Sequence, residues 1–310
     1  MIIVTGTIAY DYIMDFPGKF ADHILPDQIH NINLSFIVNQ FAKRRGGTAG
    51  NVSYTMGLLG TPHILYTIAG KDFTEYKQAF EKLGIATNHV TIDTKAYTST
   101  GFAMTDKTNN QIWGYFYGAS DGIPQLSLKK IAKKGDLVLV GPSGASGSLS
   151  FVRQCVALGI SYMFDPGFIL TQVSDEDLTF ATRHATYVIG NDYEMQLVRK
   201  RTKLASSVFA EKIVITTRGD KGATIEQGKR TMDIKPVVAK QIVDPSGAGD
   251  AWRGGFLVGL EKGFDLVVCG QMGAVAATYT VEQYGTQEQY FTKKEFINRY
   301  RQTFQNTLSL

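Results

Sequence analysis

The sequence predicts an α/β protein: a central, mostly parallel sheet flanked by helices (α/β class), with a small β-sheet lid beside it. Three observations point there. Short apolar, β-branched runs recur along the chain, each followed by a stretch with helical spacing. The last third is mostly helical in pattern. Two segments, 8–45 and 97–117, interrupt the alternation. Unbroken apolar runs suit strands covered on both faces, and strands alternating with helices imply right-handed βαβ units and a parallel sheet.

The elements follow in order. The opening "MIIVTGTIAYDY" reads as a strand, with no basic region ahead of its apolar run and hence no signal peptide. "HILYTIAG" precedes the helical "FTEYKQAFEKLG". "DLVLVG" (136–141) precedes a helix over 147–158, "SYMFDP" one over 174–183, and "TYVIGN" one over 192–200. "KIVITT" precedes a Gly-rich turn, and "KQIVD" (240–244) reads as a further strand. Helices are predicted over 249–262, 266–282 and 293–307. Leu266 to Val281 is broken by Gly and Gln and is short for a membrane span, so a buried helix fits it better. Residues 8–45 contain Pro17, Gly18 and Pro26 and no long helical pattern. Residues 97–117 read as two strands, "TSTGFAMTD" and "QIWGYFYGA", joined by the turn-rich "KTNN". The main body is thus expected at 1–7, 46–96 and 118–310, with 8–45 and 97–117 forming a discontinuous lid that closes over a ligand.

With 310 residues, 44% hydrophobic and 19% charged, the chain can bury a large core. The net charge of +4 is mild, and the densest basic cluster, "RKRTK" at 199–203, is short. A nucleic-acid binder should show a basic stripe with interleaved aromatics, so neither nucleic acid nor membrane is an expected partner. Cys155 and Cys269 lie in apolar segments without metal-ligand spacing, which fits free thiols in a reducing cytosol and a cytoplasmic protein.

The chemistry concentrates in four stretches. In "DPSGAGDAWRGGF" (244–256), Ala251 to Leu260 has helical spacing, which puts Gly247, Ala248 and Gly249 at a helix N-terminus. Free amides and the positive end of the helix dipole make such a place an anion site. A carboxylate directly behind it, Asp250, can take a proton from an attacking hydroxyl while the amides hold migrating phosphoryl charge. Asp is also a good first-turn residue in any helix, and that plainer reading stands beside the chemical one. In "RRGGTAGNVSYTMGLLG" (44–60), Gly46 and Gly47 permit close backbone approach and Asn51 heads an apolar helix; Gly-Gly equally makes a plain turn. "GNDYE" (190–194) sets Asn191 and Glu194 three apart, suited to orienting water around Mg²⁺ or to capping a helix. "TTRGDKG" (216–222) suits a nucleotide phosphate or simply a turn.

Together and in this order, "GGTAGN", "NDYE", "TTRGDKG" and "DPSGAGDAWRGGF" resemble the ribokinase-like (PfkB) family of carbohydrate and nucleoside kinases. The resemblance runs from "TGTIAYD" to "YGTQE", and "FPGKF", "LSF", "RGGTAGN" and "GTQE" look most like the bacterial-type adenosine kinases. No P-loop and no protein-kinase His-Arg-Asp is present. The resemblance implies an ATP-dependent adenosine kinase that makes AMP for purine salvage, with adenosine or a related nucleoside and ATP as its small-molecule partners. Asp250 would be the base, and Gly247, Ala248 and Gly249 the anion hole. Thr7, Asp11, Gly46, Gly47 and Asn51 would hold the acceptor. Asn191 and Glu194 would organise Mg²⁺–ATP, with Glu194 reaching the metal through water. Thr217, Gly219 and Gly222, with the helix around Ala274 to Thr278, would line the ATP side. Lids in this family often pair, which implies a homodimer, and many relatives bind a monovalent cation such as K⁺ beside the anion hole. Two positions depart from the pattern. Pro245 stands where Thr is usual, and Thr7 where the adenosine-kinase pattern has Ser.

A purine needs flat apolar walls, whereas a free sugar needs mostly polar ones. Phe36, Phe102 and Phe116 all fall in the lid or its base and are expected to converge on the purine, although aromatics in strands are commonly core. A sugar kinase of the same fold, acting on ribose or a fructose derivative, and a non-catalytic nucleoside-binding protein are the alternatives.

Overall fold

The computed structural model describes residues 1–24, 34–108 and 110–310. The chain opens with β1 (Ile2–Thr5) and crosses directly into β2 (Ala9–Asp15); β3 (Gln40–Gly46) returns to α1 (Thr48–Leu58). Then come β4 (Ile64–Leu65), β5 (Thr67–Gly70), α2 (Thr74–Lys82), β6 (Val90–Asp93), β7 (Ser99–Thr105) and β8 (Gln111–Phe116). Regular alternation follows: β9 (Leu137–Val140), α3 (Ala145–Leu158), β10 (Ser161–Phe164), α4 (Asp175–His184), β11 (Tyr187–Asn191), α5 (Asp192–Thr202), α6 (Ser206–Ala210) and β12 (Ile213–Thr217). The hairpin β13 (Ala223–Gln227) and β14 (Arg230–Ile234) precedes α7 (Ala248–Glu261), α8 (Leu266–Val281) and α9 (Lys293–Phe304).

The main sheet runs β14-β13-β12-β11-β10-β9-β1-β4, parallel from β12 to β4 and antiparallel at the β13–β14 edge. Its central strands, such as β1, β9 and β11, read as apolar runs because both faces are covered. Leu139, Met163 and Ile189 pack towards α1, α7 and α8, while Val138, Val140, Phe164 and Val188 pack towards α3, α4 and α5. Consecutive residues thus enter opposite cores, and each fully buried aliphatic side chain contributes about 1.5–3 kcal/mol. Strand order reverses about β1, with β4 on one side and β9 on the other. Open sheets of this kind place their crevice at such a carboxyl-end switch point.

The two interrupting segments form one second sheet, β3-β2-β7-β8, rooted at that crevice through residues 6–8 and 46–47. Asp106 binds its two halves together: it accepts from the amides of Phe20, Thr108 and Asn110.

Three local expectations need correction. "KQIVD" is not a strand. Ile242 is 74% exposed, and the amides of Val243 and Asp244 donate to the carbonyl of Val281 rather than to a sheet neighbour. The edge hairpin β13–β14 was not anticipated; its mixed exposure hides the two-residue period. The last helix stops at Phe304, where Gln305 turns left-handed. Pro26 and the first Asn of "KTNN", Asn109, lie outside the described residues. No helix among the described residues is long and apolar enough to cross a membrane.

Candidate active site

The Gly-Ala-Gly-Asp stretch begins α7 with no side-chain cap. Gly247 is left-handed (φ 72°), and a Cβ there would meet the Thr286 side chain at 2.7 Å. The first helical bond runs from the Ala251 amide to the Gly247 carbonyl at 2.9 Å. The amides of Ala248, Gly249 and Asp250 precede it, and of these the Ala248 amide makes only a long 3.3 Å contact with the Pro245 carbonyl. An unclosed helix start is an anion cradle.

Asp250 turns inward from this turn. Asn51, on α1, donates its Nδ2 to Asp250 Oδ2 at 2.8 Å. Burial pushes the Asp250 carboxyl above its ordinary range; Arg253 and the Asn51 hydrogen bond oppose that, and Glu194 adds to it. Arg253, one turn along α7, is buried and bound to Asp165 at the end of β10. Its NH2 donates to Oδ1 at 2.7 Å, and its Nε lies 2.6 Å from Oδ2 at a poorer angle. The guanidinium is thereby fixed as a positive charge beneath the cradle.

Asp11 faces Asp250 from β2. Burial pushes its carboxyl up to about 6, with Asp250 and Asp244 contributing. It folds over Gly46, where a Cβ would fall 2.3 Å from Asp11 Oδ2. Gly47 begins α1 with φ 85°, and a Cβ there would strike the backbone of Thr7 to Ala9 at 2.6 Å. Thr7 is buried, and its carbonyl accepts from the Ala49 amide at 3.0 Å. Thr7, Asp11, Gly46, Gly47 and Asn51 are therefore one neighbourhood with Asp250.

The aromatic trio does not converge. In the β2–β7–β8 register, Asp11 lies opposite Gly101 and Tyr115, whereas Phe102 and Phe116 share the other face with Tyr12 and Thr100. Phe102 stacks on Tyr12 at 5.4 Å, away from the crevice. Phe36 belongs to a separate cluster with Phe16, Phe20 and His23. The period of two puts Tyr115 on the Asp11 face, where it is 72% exposed and feels the Asp11 charge. That parity is readable once pairing is known.

On the side expected to take the nucleotide, Asn191 and Glu194 form a capping box on α5. The Glu194 amide donates to Asn191 Oδ1 at 2.8 Å, and Glu194 Oε2 accepts from the Asn191 amide at 2.7 Å. The plainer reading of that motif holds, yet Glu194 still acts electrostatically on Asp250 and Arg253. Thr217 ends β12, and Gly219 and Gly222 shape the turn after it. Open space lies around Gly219, while Gly222 backs onto the Ile234 carbonyl. Ala274 and Thr278 are buried in α8, with Thr278 Oγ1 donating to the Ala274 carbonyl at 2.8 Å. Among the described residues no cluster of three or more His, Cys, Asp or Glu could cage a metal. Glu194 would suit a water of nucleotide-borne Mg²⁺ through Oε1, the carboxylate oxygen that takes no part in the capping box.

Sequence reading gave no part to Arg253, Asp165, Tyr76, Tyr115 or Gln287. Arg253 and Gln287 lay inside quoted motifs, but a buried pair made across 88 positions leaves no local signal.

The pfkB family carbohydrate kinase profile matches residues 10–293. A nucleoside kinase of Burkholderia thailandensis, solved in complex with inosine, superposes with a TM-score of 0.88 at 33% identity over 99% of each chain. A nucleoside kinase of Methanocaldococcus jannaschii is 29% identical over 96% of each sequence. The crystal structure of the M. jannaschii nucleoside kinase gives a TM-score of 0.86 over 97% of this chain and 98% of that one. A Methanothermobacter thermautotrophicus nucleoside kinase is 28% identical over 96% of this chain and 95% of its own. The uncapped glycine-rich helix start and the inward carboxylate both lie within the matched span, and the chain belongs to the pfkB family of carbohydrate kinases.

Proposed function

We propose that the protein is an ATP-dependent nucleoside kinase that phosphorylates the 5′-hydroxyl of adenosine to give AMP, a step of purine salvage. The observation that carries this is the inward Asp250 carboxylate, bound by Asn51 beside the open amides of α7 and faced by Asp11. Asp11 can accept two hydrogen bonds from a vicinal ribose diol. Asn51 keeps a second N–H for the sugar. Asp250 takes the 5′-hydroxyl proton as that oxygen bonds to the γ-phosphorus, and the bond from phosphorus to the bridging oxygen of ADP breaks. The Gly249 and Asp250 amides, with Arg253 behind them, offset the charge moving onto the transferred group. Mg²⁺, when bound with the nucleotide, supplies further neutralisation of the phosphates. The sheet β3-β2-β7-β8 acts as the lid, closing over the crevice and excluding water that would compete as acceptor.

The nucleoside acceptor is supported by Tyr115 on the Asp11 face and by likeness to a nucleoside kinase that binds inosine. Inosine is the second acceptor to expect on that ground. The test is ATP consumption with adenosine, inosine, other nucleosides, ribose and fructose 6-phosphate. Turnover is expected with adenosine first and inosine next. Strong turnover of ribose without that of any nucleoside would overturn the assignment.

A further inference from the structure

Asn51 can hold Asp250 only in one of its two amide orientations, since the other would point its oxygen at a carboxylate. The residue that fixes the orientation is Gln287. Its Nε2 donates to Asn51 Oδ1 at 2.9 Å and to the Tyr76 hydroxyl at 2.5 Å. Tyr76 in turn donates to the carbonyl of Gly46, the last residue of β3, at 2.9 Å. The chain of hydrogen bonds thus runs Gly46, Tyr76, Gln287, Asn51, Asp250, and it is buried through its middle: Tyr76 is 0% and Gln287 1% exposed.

The polarity of this chain is forced. Both ends, a backbone carbonyl and a carboxylate, are acceptors only. A line of hydrogen bonds ending in two acceptors needs one member that donates both ways, and a primary amide NH₂ does so. Reversing Gln287 would set its oxygen against Asn51 Oδ1, and Asn51 could then relax only by turning its own oxygen to Asp250. Gln287 Oε1 itself finds no hydrogen-bond partner among the described residues, a cost tolerated in a side chain held for its donors. Helix α1 makes room for the crossing with Gly50, where a Cβ would lie 1.9 Å from the Tyr76 oxygen.

We infer that Gln287 is a positioning residue for phosphoryl transfer: as the double donor of this buried chain it locks Asn51 so that Asn51 donates to Asp250. This rests on the reading of Asp250 as the base. The groups acting on Asp250 are Arg253 on its own helix, Glu194 on α5, Asp165 after β10, and Asp11 on β2, with Asn51 the neutral donor among them. When Asn51 is unlocked the carboxylate loses its donor and holds its proton more tightly, so activity fails at higher pH on the acid side.

The test uses the full chain and reads kcat against pH at saturating adenosine and ATP. Gln287→Met and the nearly isosteric Gln287→Glu both fill the space, but neither can donate both ways. Each is expected to lower kcat about tenfold and to move the acid limb up by about one pH unit, with both KM values within about threefold, as for loss of a hydrogen bond to a charged group. In Gln287→Met, which adds no charge, a role in packing alone would leave the limb where it is, and an unmoved limb in the folded variant overturns the inference, whether or not kcat falls. If neither variant folds, Tyr76→Phe removes one acceptor and the Gly46 link, with an expected loss of about threefold and a smaller upward shift; an unmoved limb there is equally decisive. Asp250→Asn separates the two levels. If it kept turnover, the base assignment itself would fail, whereas its inactivity beside an unmoved limb in the Gln287 variants would sink the positioning role alone.

Discussion

Helices α7 and α8 lie against each other, and each has an aspartate near its start, with opposite consequences. Asp265 stands at the N-cap of α8, accepting from the amides of Val267 and Val268 at 2.9 Å, and so closes that helix start. Asp250 stands three residues into α7, after a left-handed Gly247, and its carboxylate turns away from the helix end towards Asn51. The amides of the first turn stay open. The same residue type thus either caps a helix or, in the role proposed for Asp250, serves as a base, according to whether it precedes or follows the first amides. Ser174, Asn191 and Thr292 cap α4, α5 and α9 as Asp265 caps α8, while α1 and α3, like α7, start at positive-φ glycines without a side-chain cap.

The comparison can be broken most sharply at α7. Asp250→Asn is expected to lower kcat by about 10²–10⁴-fold, the usual range for a general base, with little change in the thermal midpoint. Near-normal turnover would mean that Asp250, too, is only a first-turn residue. A middle-sized effect is expected at Asp11, whose raised carboxyl titrates near 6. Below that pH the protonated group accepts fewer hydrogen bonds, so the adenosine KM should rise as pH falls through about 6, and Asp11→Asn should raise KM about tenfold and flatten the profile. Stability runs the other way. A folded-state carboxyl above its unfolded value adds stability that is complete below the unfolded value and is lost as pH rises through about 6. Adenosine KM measured from about pH 5 to 8 checks the first sign, and denaturant unfolding from about pH 4 to 7 checks the second. The smallest effect belongs to α8. Asp265→Ala should cost about 1 kcal/mol in denaturant unfolding, as for loss of an N-cap, and leave kcat unchanged. A kcat loss there would show that the two helix starts are not independent.

Much of this site was legible beforehand, for local reasons. Gly-Ala-Gly-Asp ahead of a helical period locates an open N-terminus, because glycines and the 3.6 period are both short-range signals. Continuous apolar runs such as "LVLV" announce strands covered on two faces. "KQIVD" misled because its apolar residues look like a strand, while the sheet had already ended at β14. The Phe36, Phe102 and Phe116 expectation failed for a related reason. Composition lists aromatics, but only strand pairing says which face each one takes, and a period of two separates Phe102 from Asp11 on adjacent strands.

By itself the sequence determined the α/β class, the second sheet, the open glycine-rich helix start and the carboxylate behind it, since each depends on residues a few positions apart. Only the tertiary structure decided which groups surround that carboxylate. Asn51 lies 199 positions from Asp250 and Gln287 lies 236 from Asn51. Contacts of that span are made by the folded chain closing on itself, and no local periodicity encodes them.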